Sequence, residues 1–217
     1  MQLVIGNKNY SSWSLRPWLL MSASGLAFEE IQESLHKDDI TRRLGQYSPT
    51  CRVPVLIDDG VTVWDSLAIC EYVSETYLDG QGWPSDRWAR AQARAVCTEM
   101  HSGFSALRKE MPMNCRARRR IELSDAAKAD IARIDAIWTE YSSRYSEHGP
   151  WLFGSFSIAD CFFAPVAFRF LTYDVELSDS ARQYAERLRD HGSMQHWLSA
   201  ARDEKEVVAE DEVGVEA

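Results

Sequence analysis

The chain has 217 residues, 45% hydrophobic and 26% charged, enough for one large domain or two small ones and unlike a disordered segment. No run of about 18 apolar residues occurs, and no basic segment precedes the short apolar "LVI" near the start, so neither a membrane span nor a signal peptide is expected. The net charge of −9 is concentrated at the end, where seven acids and one lysine follow from Asp203 onward; this reads as a solvated, frayed tail and says little about a substrate.

In chain order, "QLVIG" predicts a short strand. Ser14 to Ser24 predicts a helix, with Leu15, Trp18, Leu19 and Ser22 at helical spacing. Phe28 to Ser34 reads as a second strand and Ile40 to Tyr47 as a short helix. "VPVLID" and "VTVW" are β-branched strands around an Asp-Gly turn, a hairpin signal because Asp-Gly tolerates positive φ. Ser66 to Tyr77 returns to helix. The glycines and proline of "LDGQGWPSD" then break the pattern, as a linker does. No strand is expected beyond it: helices are predicted over Arg87–Glu110, Ser124–Glu147, Ser157–Phe170, Ser178–Asp190 and Ser193–Asp203. The seam Ile131, Ile134, Trp138, Tyr141, Tyr145 is a packing face. The fold class is therefore α/β plus all-α.

Five separated cysteines without a C-x-x-C fit reduced thiols in a cytoplasmic protein, and five scattered histidines supply no metal-ligand pair. The basic run "CRARRR" (Cys115–Arg120) stands alone on an acidic chain without aromatic platforms, so it reads as a solvated loop or helix start, with no nucleic-acid partner expected.

"NKNYSSWSLRPWLL" places three serines around the start of the first helix. Pro17 lacks an N–H and is best accommodated in a first turn, which selects Ser14 as the N-cap and leaves Ser11 and Ser12 in the preceding loop. A hydroxyl at a helix N-terminus stabilises an anion through the dipole, about 0.3–1 kcal/mol, and through a charged hydrogen bond, about 1.5–3 kcal/mol. A thiol of ordinary pKa ~8.5 bound there would fall by about 1.5 to 3 units, into the thiolate range at neutral pH. The rival, a nucleophilic serine, would need a base and has no G-x-S-x-G elbow.

Four segments together resemble the cytosolic glutathione transferases, nearest the serine-using, zeta-like and bacterial members, from Gln2 to about Arg202. "YSSWSLR" resembles the zeta-type S-S-x-S-x-R segment and implies Ser11, with Ser12 as its rival, as the thiol-activating serine. "SPTCRVPVL" implies a cis Pro54 with Val53 presenting its backbone to the cysteinyl unit of glutathione. "WDSLAICEYV" implies that Asp65 and Ser66 hold the γ-glutamyl end; free N–H groups at the start of that helix suit a carboxylate. "GSFSIADCFFAP" carries Ser157 and Asp160 in a structural capping box.

The resemblance implies a thioredoxin-like glutathione-binding domain over 1–78, a linker over 79–85, an all-helical domain over 86–205 and an acidic tail over 206–217. It also implies a homodimer that uses glutathione as co-substrate. Candidates for contact with a second, electrophilic substrate are Trp13, His101, Phe104, Arg108 and Asn114. Trp13 stands where zeta members carry Cys, which weighs against a strict maleylacetoacetate isomerase. The activity implied is attack of the glutathione thiol on a small electrophile. The alternatives are glutathione-dependent cis–trans isomerisation and a non-catalytic interaction module on the same fold.

Overall fold

A computed structural model describes residues 1–36 and 39–217. The first domain is built on a four-stranded sheet of β1 (Gln2–Ile5), β2 (Glu29–Gln32), β3 (Val55–Asp58) and β4 (Val61–Val63), in the order β2-β1-β3-β4. β1 runs parallel to β2 and antiparallel to β3, and β3 pairs antiparallel with β4. Asp59 and Gly60 make the β3–β4 turn with φ of 45° and 81°, the doubly positive geometry for which Asp-Gly is suited. Helices α1 (Ser12–Ala23), α2 (Ile40–Gly45) and α3 (Ser66–Tyr77) complete this thioredoxin-like domain.

The second domain is helical: α4 (Arg87–Ser102), α5 (Ser105–Glu110), α6 (Asp125–Arg144), α7 (Ile158–Thr172), α8 (Asp179–Asp190) and α9 (Gly192–Asp203). Nearly every residue of α7 is buried, as expected for a helix that is apolar all round, and α1, α4 and α8 pack on it. The seam on α6 packs as expected: the Trp138 ring meets Phe163, Phe170 and Tyr184 edge-on at 5.0–6.0 Å. Ser157 and Asp160 form both arms of the capping box that starts α7.

Three elements differ from the sequence expectation. The helix predicted over Arg87–Glu110 is two, because Gly103 is extended and Phe104 adopts a left-handed φ of 58° between α4 and α5. A strand pair is present where none is expected: β5 (Arg119–Arg120) lies antiparallel to β6 (Val215–Glu216). The acidic tail is therefore no frayed end, since β6 anchors it to the basic run, which is itself no solvated loop.

Candidate functional site

The serine loop leads from β1 into α1. Ser11, not Ser14, is the N-cap: its Oγ accepts the Ser14 N–H at 3.4 Å and its hydroxyl donates to Ser14 Oγ at 2.7 Å. Ser14 Oγ in turn accepts the Gly6 N–H at 3.1 Å, so it ties the loop back to the end of β1. Pro17 consequently lies inside the helix. The local cost of a helical proline is outweighed because α1 is clamped between α3, α7 and α9, with most of its residues buried. Ser12 is the first helical residue, and its Oγ accepts from Arg169 Nη2 at 3.1 Å. Its own proton has no acceptor among the hydrogen bonds of the described residues, whereas the Ser11 proton is held by Ser14.

Immediately after Ser12, Trp13 forms one wall of a cleft of about 280 Å³ between the two domains. The opposite walls are Val53 and Pro54, Asp65 and Ser66, and His101 of α4. The Val53–Pro54 peptide is cis. Asp65 caps α3, its Oδ1 accepting the Leu67 N–H at 3.1 Å, and its other oxygen lies 3.2 Å from His101 Nε2. Ser66 is fully buried and its Oγ has no hydrogen-bond partner among the described residues. A buried hydroxyl left unsatisfied costs about 1–3 kcal/mol, so its place at a helix N-terminus on the cleft wall suits a polar ligand.

Two family domains match this chain: the N-terminal domain of glutathione S-transferases over residues 10–76 and the C-terminal domain over 117–198. The chain belongs to the glutathione S-transferase family. A probable maleylacetoacetate isomerase from Caenorhabditis elegans is 32% identical over 97 residues, 45% of each chain. The chain thus spans less than half the length of that curated relative. A Burkholderia glutathione transferase homologue with bound glutathione is 25% identical, with a TM-score of 0.72 over 94% of this chain and 98% of that one. A bacterial zeta-class maleyl pyruvate isomerase shares the fold, with a TM-score of 0.71 and 19% identity over 94% of this chain and 99% of that one.

Within this glutathione S-transferase fold, the cleft brings together six of the residues singled out in the sequence: Trp13, Val53, Pro54, Asp65, Ser66 and His101. Thr50, Arg52 and Trp64 line it as well; they lie within the segments "SPTCRVPVL" and "WDSLAICEYV", where the resemblance assigns them no role. Arg108 reaches its edge by stacking over Trp13 at 4.8 Å while donating to the Gly103 and Met100 carbonyls. Phe104, Asn114, Ser11 and Ser12 do not line the cleft; the two serines are buried at the start of α1, directly before its wall residue Trp13. Asn114 is a buried bridge, accepting from Asn9 at 2.9 Å and donating to Glu212 at 2.9 Å.

Behind Trp13 lies the arginine that ends the S-S-x-S-x-R segment, in surroundings the segment itself does not reveal. Arg16 is fully buried, sandwiched between Trp13 at 4.3 Å and Phe162 at 4.6 Å, and its Nε and Nη1 have no hydrogen-bond partner among the described residues. Burial, reinforced by the nearby charges of Arg108 and Arg169, depresses its pKa well below the usual value. Burial likewise brings Arg169 down to about 10. Three guanidinium groups therefore converge on the start of α1.

Burial also lowers the pKa of His101, against the opposing pull of the Asp65 carboxylate. The imidazole is accordingly neutral at pH 7 and meets Asp65 as a hydrogen-bond donor. An NMR titration should place its midpoint below about 6.5, and Asp65→Asn should lower it further by removing the charge that favours the protonated ring. A midpoint that rises in the variant would contradict this electrostatic account.

Proposed function

We propose that this protein is a glutathione transferase that activates the glutathione thiol for attack on a small electrophile. The observation that carries the reading is the orphaned, fully buried Ser66 hydroxyl at the N-terminus of α3, beside Asp65 and facing the cis Val53–Pro54 segment across one cleft. Ser66 and the free N–H groups of α3 receive the γ-glutamyl carboxylate, Asp65 receives the α-ammonium, and the Val53 backbone aligns the cysteinyl unit. The bound sulfur then lies toward the start of α1, where the serine hydroxyls and the helix dipole favour the thiolate. The thiolate forms the C–S bond to the electrophile as a leaving group departs, or as the neighbouring carbon takes a proton.

Of the two serines, Ser12 is the better donor in this reading. The Ser11 proton is engaged with Ser14, while Arg169 occupies an acceptor site on Ser12 Oγ and leaves the Ser12 O–H able to donate. Arg52 in the cleft wall and Arg108 at its edge over Trp13 favour an acidic electrophile, which keeps glutathione-dependent isomerisation of an unsaturated acid as a second reading of the same site.

The binding test is calorimetric titration with glutathione. Ser66→Ala should weaken binding by about tenfold to a hundredfold, the loss of one or two hydrogen bonds to a charged group. Wild-type protein without measurable affinity would sink both readings and leave the interaction-module alternative. Assay with conjugation substrates and with unsaturated dicarboxylates then separates the first reading from the second.

The same reading includes a homodimer, as the family resemblance implies, and a reducing cytoplasmic setting, supported by five cysteines that are all free thiols.

A further inference from the structure

The last fourteen residues fold back onto the loop that precedes the serines. Glu204 accepts the backbone N–H of Lys8 at 2.6 Å and of Asn9 at 3.0 Å, donors that neither β1 nor α1 can satisfy. Glu206 accepts from Asn7 Nδ2 at 2.8 Å. Glu212 accepts the Tyr10 hydroxyl at 2.5 Å, together with Asn114 and Arg119. All four residues from Asn7 to Tyr10 are thus gripped by carboxylates almost two hundred positions downstream.

The basic run completes the grip. Arg116 donates to the Glu204 and Glu206 carbonyls and to the Tyr10 hydroxyl, and β5 pairs with β6 at the end of the strap. Asp211 lies near enough to Arg169, the partner of Ser12, for each charge to favour the other. The strap therefore acts on the serines through the loop backbone before Ser11, and Asp211 adds a nearby charge that favours the protonated Arg169 holding Ser12.

We propose that Glu204 and Glu212 are positioning residues for thiol activation, fixing Asn7–Tyr10 and thereby the place of Ser11 and Ser12 relative to the glutathione sulfur. This rests on the transferase reading. A reacting group displaced by about 1 Å can lose about a hundredfold in rate, so a strap that restrains the loop backbone acts on chemistry as well as on stability. Glutathione affinity is set elsewhere, at Ser66, Asp65 and Val53, and should be largely indifferent to the strap.

The experiment compares wild type with Glu204→Ala, Glu204→Gln, Glu212→Gln and a chain ending at Asp203. The thiol pKa of bound glutathione is read from thiolate absorbance, and loop order from hydrogen exchange of the Lys8 and Asn9 amides. In Glu204→Ala and the shortened chain those amides should exchange at least about tenfold faster, and the bound thiol pKa should rise by about one unit, with affinity for glutathione changed less than about threefold. Glu204→Gln, which keeps one acceptor oxygen, should fall between Glu204→Ala and wild type.

Normal affinity with an unshifted thiol pKa in the alanine and glutamine variants overturns the strap's role alone. If the shortened chain does not fold, the point variants decide. Wild type without glutathione affinity overturns the transferase reading, and the strap's role with it.

Discussion

Replacing Asp160 with alanine is expected to cost about 4 kcal/mol of folding stability, the largest single loss anticipated outside the apolar core. Asp160 is fully buried, and its carboxylate accepts the N–H groups of Leu152 at 3.2 Å and Ser157 at 2.9 Å, and the hydroxyls of Ser157 at 3.2 Å and Tyr184 at 2.9 Å. Alanine would leave buried donors on the loop before α7, on its cap and on α8. Each orphan costs about 1–3 kcal/mol, and hydroxyl rotation recovers part of the total.

The loss has a pH signature. Burial raises the Asp160 pKa from the ordinary 3.8 to about 6, against its hydrogen bonds, which pull the other way. A carboxyl whose folded pKa is raised contributes most stability below its unfolded pKa and loses it as pH climbs through the folded value. The penalty of Asp160→Ala should therefore be greater at pH 4 than at pH 7. Urea denaturation at the two pH values measures both quantities. A loss below about 1 kcal/mol, or a penalty that grows with pH, would show that this network is not what holds the start of α7.

Much of this architecture was legible in the sequence because the relevant physics is local. Asp59-Gly60 specifies its turn through positive φ, and Ser157 with Asp160 caps α7 within one turn of chain. What was hidden depends on distant partners. Pro17 argued for a helix start at Ser14, but packing of α1 against α3, α7 and α9 carries the proline inside a helix begun at Ser11. Counting charges made the tail solvated, because the Lys8 and Asn9 amides that donate to it lie at the other end of the chain. The cleft residues Ser66 and Asp65 were recognisable from their segment. The guanidinium cluster was not, since Arg16, Arg108 and Arg169 lie far apart in the chain and only the fold brings them to one place.

That cluster bears on the prediction with the largest expected effect on activity. In Ser12→Ala, the pKa of bound glutathione should rise by about one to two units, equivalent to losing a charged hydrogen bond of about 1.5–3 kcal/mol. Below the new pKa the thiolate fraction, and with it kcat/KM, should fall by about tenfold to a hundredfold, while the plateau at high pH is nearly retained. Ser11→Ala acts differently. It removes the cap of α1 and should cost about 0.5–2 kcal/mol of stability, with a smaller movement of the thiol pKa. Arg169→Met should reproduce part of the Ser12→Ala shift, because it removes the donor that holds Ser12 Oγ in place. The discriminating measurement is the acid limb of the kcat/KM profile in all three variants. If Ser11→Ala moves that limb and Ser12→Ala does not, the thiolate is held by the cap hydroxyl, and the Ser11–Ser14 hydrogen bond must break when glutathione binds.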